Sequence, residues 1–215
     1  MADFEIGLNA AESDNFTTAL REWRPLAEQG LADAQNGLGT LFYNGDGIAQ
    51  DYTEAVKWYR MAAEQGHASA QFNLAMAYVK SLGVAQDNEE AVKWLLKAAT
   101  QGNVSAQGVL ALMYKKGQGV PQDYSETLKW YRKAAEQGHA GAQNNLGEMY
   151  CEGEGVNQDY GKAVKWYRKA AEQGHVRAQY TLGSIYKNNQ GVAEDYMEAV
   201  KWYRKAAEQS DADGQ

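Results

Sequence analysis

The chain has 215 residues, 44% hydrophobic and 23% charged, with 22 glycines and two prolines. That is too rich in aliphatic and aromatic residues for a disordered chain, and no apolar run approaches the roughly 18–20 residues of a membrane-spanning helix. A net charge of −7, from 28 acidic against 21 basic residues, argues against a nucleic-acid partner, which would need a basic surface.

The N-terminal stretch MADFEIGLNAAESDNF has no basic segment leading into an apolar core, so it does not read as a signal peptide. The cytoplasm is the expected compartment, with export the alternative if a signal peptide has been removed. The single cysteine, Cys151, excludes an intrachain disulfide, and no neighbour in sequence marks it as a reactive thiol.

Residues 1–30 form a degenerate first unit. Ala19, Ala27, Glu28, Gln29 and Gly30 fall in the register of the later units, while Trp23 stands in the column of Tyr59 instead of that of Trp58. Five full units then run 31–66, 67–102, 103–138, 139–174 and 175–210. Trp58, Trp94, Trp130, Trp166 and Trp202 recur every 36 residues. Gln35, Gln71, Gln107, Gln143 and Gln179 do the same, as do Asp51, Asp87, Asp123, Asp159 and Asp195. A fixed period of this length is the mark of a repeat array.

Each unit is predicted to be a helix pair. In residues 68–80, Ala70, Leu74, Ala77 and Tyr78 lie on one helical face. The helix after Asp51 carries Tyr52, Ala55, Trp58, Tyr59, Ala62 and Ala63 on a broad apolar stripe. Asp51 with Glu54 resembles a capping box, and Asp87/Glu90, Asp123/Glu126 and Asp195/Glu198 repeat it. Gly30, Gly66, Gly102, Gly138 and Gly174 close the second helices, where a left-handed residue is wanted. A pair this short buries its stripe by stacking on its neighbours, which predicts a solenoid of about twelve helices in one domain over 1–210, with the Trp column filling the larger gaps. Residues 211–215 read as a tail or the start of a truncated repeat, since Ala212 and Gln215 keep the register. An uncapped last repeat would expose an apolar face, open to self-association.

The pattern A-x-A-Q-x-x-L-G-x-x-Y, then G-x-G-V-x-Q-D-Y-x-x-A-x-x-W-Y-x-x-A-A-x-x-G, resembles the Sel1-like repeat. Its best copy is AGAQNNLGEMYCEGEGVNQDYGKAVKWYRKAAEQG at 140–174. The resemblance implies an all-α fold, a right-handed α/α superhelix related to tetratricopeptide arrays, and a role as an adaptor or scaffold. The second unit departs from it with Ser81, Asn88 and Leu95. The cysteine pairs that staple secreted relatives are absent, which counts against export.

Several features invite a chemical reading and are better explained by the fold. His67, His139 and His175 occupy one column and are a full helix pair apart, so they cannot converge on one metal. The Gly-x-Gly loops lack the strand and third glycine of a dinucleotide fingerprint. Lys57, Lys93, Lys129 and Lys201 follow Glu54, Glu90, Glu126 and Glu198 by three residues, and Arg60–Glu64, Arg132–Glu136, Arg168–Glu172 and Arg204–Glu208 are further candidate pairs, giving a charge-paired outer face. No nucleophile–base grouping stands outside the repeat columns, so an enzyme such as a cell-wall hydrolase is not expected, and no cofactor or metal is implied.

Function is then sought in columns that vary. By analogy with tetratricopeptide arrays the first helices line a concave face. The candidate partner-binding residues there are Asn36, Phe72, Asn73, Met76, Asn144, Asn145, Arg177 and Tyr180. Phe72 and Met76 are one turn apart and form an apolar anchor, the asparagines match a peptide backbone, and Arg177 and Tyr180 are residue types enriched at binding hot spots. The expected partner is a protein or peptide. The alternative is an exported bacterial protein engaging host proteins or the cell wall.

Overall fold

The computed structural model describes residues 2–190, 193 and 195–212. Among them are twelve helices and no strand. They run in pairs: α1 (Phe4–Glu12) with α2 (Phe16–Glu28), α3 (Ala32–Asn44) with α4 (Tyr52–Glu64), and α5 (Ala68–Lys80) with α6 (Asn88–Thr100). The series continues with α7 (Val104–Lys116) and α8 (Tyr124–Glu136), α9 (Ala140–Glu152) and α10 (Tyr160–Glu172), and α11 (Val176–Lys187) and α12 (Tyr196–Ala212). The chain falls into two compact units, Met1–Ala106 with Gln118–Pro121, and Gln107–Gly117 with Gln122–Gln215. Of the expected tail, α12 continues through Ala212, and residues 213–215 lie outside the described residues.

The helix ends explain why so short a period can be kept. Asp51, Asp87, Asp123 and Asp159 each accept from backbone N–H groups in the first turn of the next helix, removing orphan donors at roughly 1 kcal/mol per cap. The same aspartates donate their own N–H back to the preceding helix, as from Asp51 to the Phe42 carbonyl at 2.9 Å and from Asp159 to that of Tyr150 at 2.8 Å. Each loop is thereby tied at its end. Gly83 shows why such loops favour glycine: a Cβ there would sit 2.1 Å from the Tyr52 carbonyl oxygen. Ser81 replaces the first loop glycine at φ 57°, a strained conformation for a side-chain-bearing residue.

The histidine column has a defined task. His67, His139 and His175 are the N-caps of α5, α9 and α11, each accepting through Nδ1 the N–H of Ala70, Ala142 or Ala178 at 3.0–3.3 Å. Asn103 does the same for Ala106 at 2.8 Å. A neutral imidazole and an asparagine oxygen are interchangeable acceptors here.

Two columns join neighbouring helix pairs. Gln35, Gln71, Gln143 and Gln179 each donate to the end of the preceding second helix, as from Gln71 to the Ala63 carbonyl at 3.1 Å and from Gln143 to that of Ala135 at 3.0 Å. Arg60 Nη2 donates to the Tyr78 hydroxyl at 2.7 Å, Arg132 to that of Tyr150 at 3.0 Å, and Arg168 to that of Tyr186. This corrects the expected arginine–glutamate pairing. Among the described residues no ion pair links Arg60, Arg132, Arg168 or Arg204 to the glutamate four positions on; the first three guanidinium groups reach across to the next helix instead. The lysine–glutamate pairs do form: Lys57–Glu54 at 2.5 Å, Lys93–Glu90 at 2.9 Å, Lys129–Glu126 at 2.8 Å and Lys201–Glu198 at 2.7 Å.

The tryptophan column is less uniform than its spacing suggests. Trp94, Trp130 and Trp202 are buried, but Trp58 and Trp166 are only half-buried. Trp58 packs against a cluster made of Ala19, Trp23 and Ala27 from α2 and Ala34, Leu38 and Leu41 from α3, and Trp166 borders an open cavity. Trp23 sits in the Tyr59 column as expected, and it fits because its neighbours are glycines. A Cβ at Gly7 would lie 2.4 Å from its Nε1, and one at Gly37 would lie 2.7 Å from its Cε3. Its indole N–H donates to the Phe4 carbonyl at 3.2 Å, and its ring stacks on Phe4.

Candidate interaction faces

In the first unit, α3 and α5 carry the first-helix candidates. Phe72, Asn73 and Met76 line one cavity of about 390 Å³ with Thr40, Tyr43 and Tyr59. Phe72 and Met76 are half-buried, so their apolar side chains are held by the fold and still meet solvent. Asn73 Nδ2 donates to Asn36 Oδ1 at 3.1 Å, which fixes both amides and leaves polar capacity at the rim. The Tyr59 hydroxyl donates to Thr40 Oγ1 at 3.3 Å, and burial pushes its pKa up to about 12. The site offers an apolar floor with amide and hydroxyl groups and one ammonium, that of Lys80, a chemistry that can hold a peptide.

In the second unit the candidates divide. Asn144 is 2% exposed, and its Nδ2 donates to Asn145 Oδ1 at 3.2 Å. It therefore belongs to the interior of α9 and not to an exposed column, and its own Oδ1 is buried with no partner. Asn145 is half-buried and accepts from Asn144; burial raises the pKa of the Tyr131 hydroxyl, and Asn145 opposes that rise. Arg177 donates to Glu148 at 2.5 Å, and Lys115 approaches Glu148 at 3.5 Å and Glu154 at 2.6 Å. Burial alone would lower the Lys115 ammonium, but the hydrogen bond to Glu154 and the two negative charges outweigh it, and its pKa is raised. Tyr180 is 62% exposed, stands edge-on to Tyr203 at 5.4 Å, and lines a cavity of about 650 Å³ with Val176, Arg177 and Ala206. Cys151 is half-buried, and burial with the charges of Glu152 and Glu148 pushes its thiol up, away from the reactive thiolate.

Sequence reasoning missed one feature. A cavity of about 660 Å³ lies on α10, with Val164, Trp166 and Tyr186 among Lys162, Lys165, Arg168 and Lys169. Its signal was available, since Lys162 stands where the other full units have Glu54, Glu90, Glu126 and Glu198.

Stacked antiparallel helix pairs, joined by repeated glutamine and arginine–tyrosine bonds and carrying unit-specific clefts, define a helix-repeat protein. The chain belongs to the Sel1 repeat family, which matches at residues 32–67, 68–103, 104–139, 140–175 and 176–211. A Sel1 repeat protein from Oxalobacter formigenes is 34% identical with a TM-score of 0.91, covering 97% of this chain and 83% of its own. A protective antigen of uropathogenic Escherichia coli that displays an SLR fold is 38% identical with a TM-score of 0.91 over 98% of this chain. The chain spans 46% of that protein's length. The immunity protein Pa5087 from Pseudomonas aeruginosa, 21% identical with a TM-score of 0.55, covers 88% of this chain and 72% of its own, a likeness of fold alone. No curated protein matches the chain. The all-α solenoid expected from the period is therefore the fold of this chain. Among the described residues no helix is long and apolar enough to cross a membrane.

Proposed function

We propose that the protein is a non-enzymatic adaptor that binds a segment of a partner protein on the faces of its first helices. The observation that carries this reading is the cleft in which Phe72 and Met76 lie half-buried beside Asn73 and Asn36. Sel1 repeats are typically scaffolds for protein–protein interaction, and the family's interaction modules are generally non-catalytic. In the second compact unit Tyr180 and Arg177 offer a second contact, with Asn145 a further polar group on α9 and Asn144 supporting that helix from within. The exposed Met197 and Val200 of α12 favour a second copy of this chain as a further partner, which sedimentation across a range of concentrations tests.

Affinity capture comparing the wild type with Phe72→Ala/Tyr180→Ala tests the main reading. A partner retained undiminished by a folded double variant sinks it. A second reading, an exported bacterial protein engaging host proteins or the cell wall, draws support from the likeness to a protective antigen. Fractionation of the native host separates the two.

A further inference from the structure

Lys162 breaks a rule that the other full units keep. Three residues after each capping aspartate, Glu54, Glu90, Glu126 and Glu198 hold the lysine of the next turn at 2.5–2.9 Å. In α10 that position is a lysine, which turns back to Asp159 at 3.1 Å. Lys165 is left without an ion pair among the described residues. The consequence is a local reversal of charge: Lys162, Lys165, Arg168 and Lys169 border the α10 cavity against one carboxylate, Glu172. The chain as a whole is acidic, with a net charge of −7.

The interior of the same cavity is apolar. Val164 and Tyr186 are 7% exposed, and Trp166 is half-buried with the Lys169 ammonium 4.4 Å from its ring centroid. The two lysines nearest the start of α10 are 57% exposed in the case of Lys162 and exposed in that of Lys165. A half-open pocket with an aromatic wall and a cationic rim matches an apolar side chain flanked by carboxylates. A nucleic acid fits less well, because beyond this patch it would meet an acidic surface.

We propose that this cavity binds an acidic segment of a partner protein, with one apolar side chain against Trp166 and flanking carboxylates on Lys162 and Lys165. Apart from Tyr186 of α11 the lining comes from the second helix α10, and none of the first-helix candidates borders it, so it is tested separately. Lys162→Glu restores the residue of the other units, so the fold is expected to persist, and a thermal melt checks it. The probes are a fluorescein-labelled, glutamate-rich synthetic peptide carrying one leucine, its glutamine counterpart, and an oligodeoxythymidine of equal charge, read by anisotropy at low salt.

The expected result is saturable binding of the acidic peptide that weakens as salt is added. Binding should fall roughly tenfold or more for Lys162→Glu and for the glutamine peptide. Equal binding by folded Lys162→Glu, equal binding of the glutamine peptide, oligonucleotide binding as tight as the peptide's, or no binding of the acidic peptide at millimolar concentration each overturns the proposal.

Discussion

The side-chain amide of Gln101 donates to Gln71 Oε1 at 2.8 Å, and Gln71 donates in turn to the Ala63 carbonyl at 3.1 Å. Two helix pairs are thus joined through one buried amide. Gln173 with Gln143 repeats the junction at 2.7 Å, Gln143 donating on to the Ala135 carbonyl at 3.0 Å, and Gln137 donates likewise to Gln107 at 2.8 Å. Gln71→Ala removes both bonds and leaves a cavity. The Ala63 carbonyl keeps its bond from Gly66 N–H at 3.0 Å, so the loss is not complete. A destabilisation of about 2–3 kcal/mol is expected in urea unfolding, with hydrogen exchange accelerated first between α4 and α5.

Trp23 and Gly37 form a matched pair that no other unit has, where the corresponding pairs are Tyr59 with Asn73, Leu95 with Val109, Tyr131 with Asn145 and Tyr167 with Thr181. Gly37→Asn drives a side chain into the Trp23 ring and should cost about 1–3 kcal/mol. Adding Trp23→Tyr should recover part of that loss. A double-mutant cycle with no coupling between the two would reject the pairing.

Trp130 and Trp166 share a column and differ in surroundings. Trp130 is 2% exposed and donates its indole N–H to Glu126 at 2.9 Å. Trp130→Ala should cost on the order of 3–5 kcal/mol, and Trp166→Ala about 1–2 kcal/mol, since the half-buried ring leaves a smaller cavity. Chemical denaturation of the two variants measures the difference, and equal losses would contradict the assigned burial.

His175 caps α11 with Nδ1 as acceptor, so protonation removes the cap. Burial lowers its pKa below the usual histidine value of 6.5; a backbone hydrogen bond opposes this, and Arg177 and His139 reinforce it. The unfolded chain therefore takes up the proton first. The stabilising contribution is complete above pH 6.5 and is lost as pH falls below that value through the folded-state pKa. His175→Asn, the residue type that caps α7, should leave stability at pH 7 nearly unchanged and flatten its decline toward pH 5. Melts of both proteins at matched pH values provide the check.

The period of 36 residues, the Asp caps, the closing glycines and the register of Trp23 are local or strictly periodic signals. Each arises from short-range chemistry: a cap needs only the first turn, and an apolar stripe needs only the helical repeat. That is why helix pairing, fold class and family could be read from the letters. The arginines could not. Arg60 has Glu64 four residues on, yet the bond it makes is to Tyr78, eighteen residues away. Spacing along one helix does not show which groups a second helix brings near.

The candidate faces divide in the same way. Variation marked the column of Asn36, Phe72, Asn144 and Tyr180, but only packing separates a buried Asn144 from a Tyr180 at 62% exposure. Lys162 was visible as one departure from a column of glutamates. Its consequence depends on the walls of Val164, Trp166 and Tyr186 around it, and side chains from two helices meet there only after the chain has folded. The sequence by itself determined the repeating frame, because caps, turns and stripes act within one or two turns of helix. The tertiary structure alone decided which of the varied residues reach solvent, because burial is set by what the neighbouring helices cover.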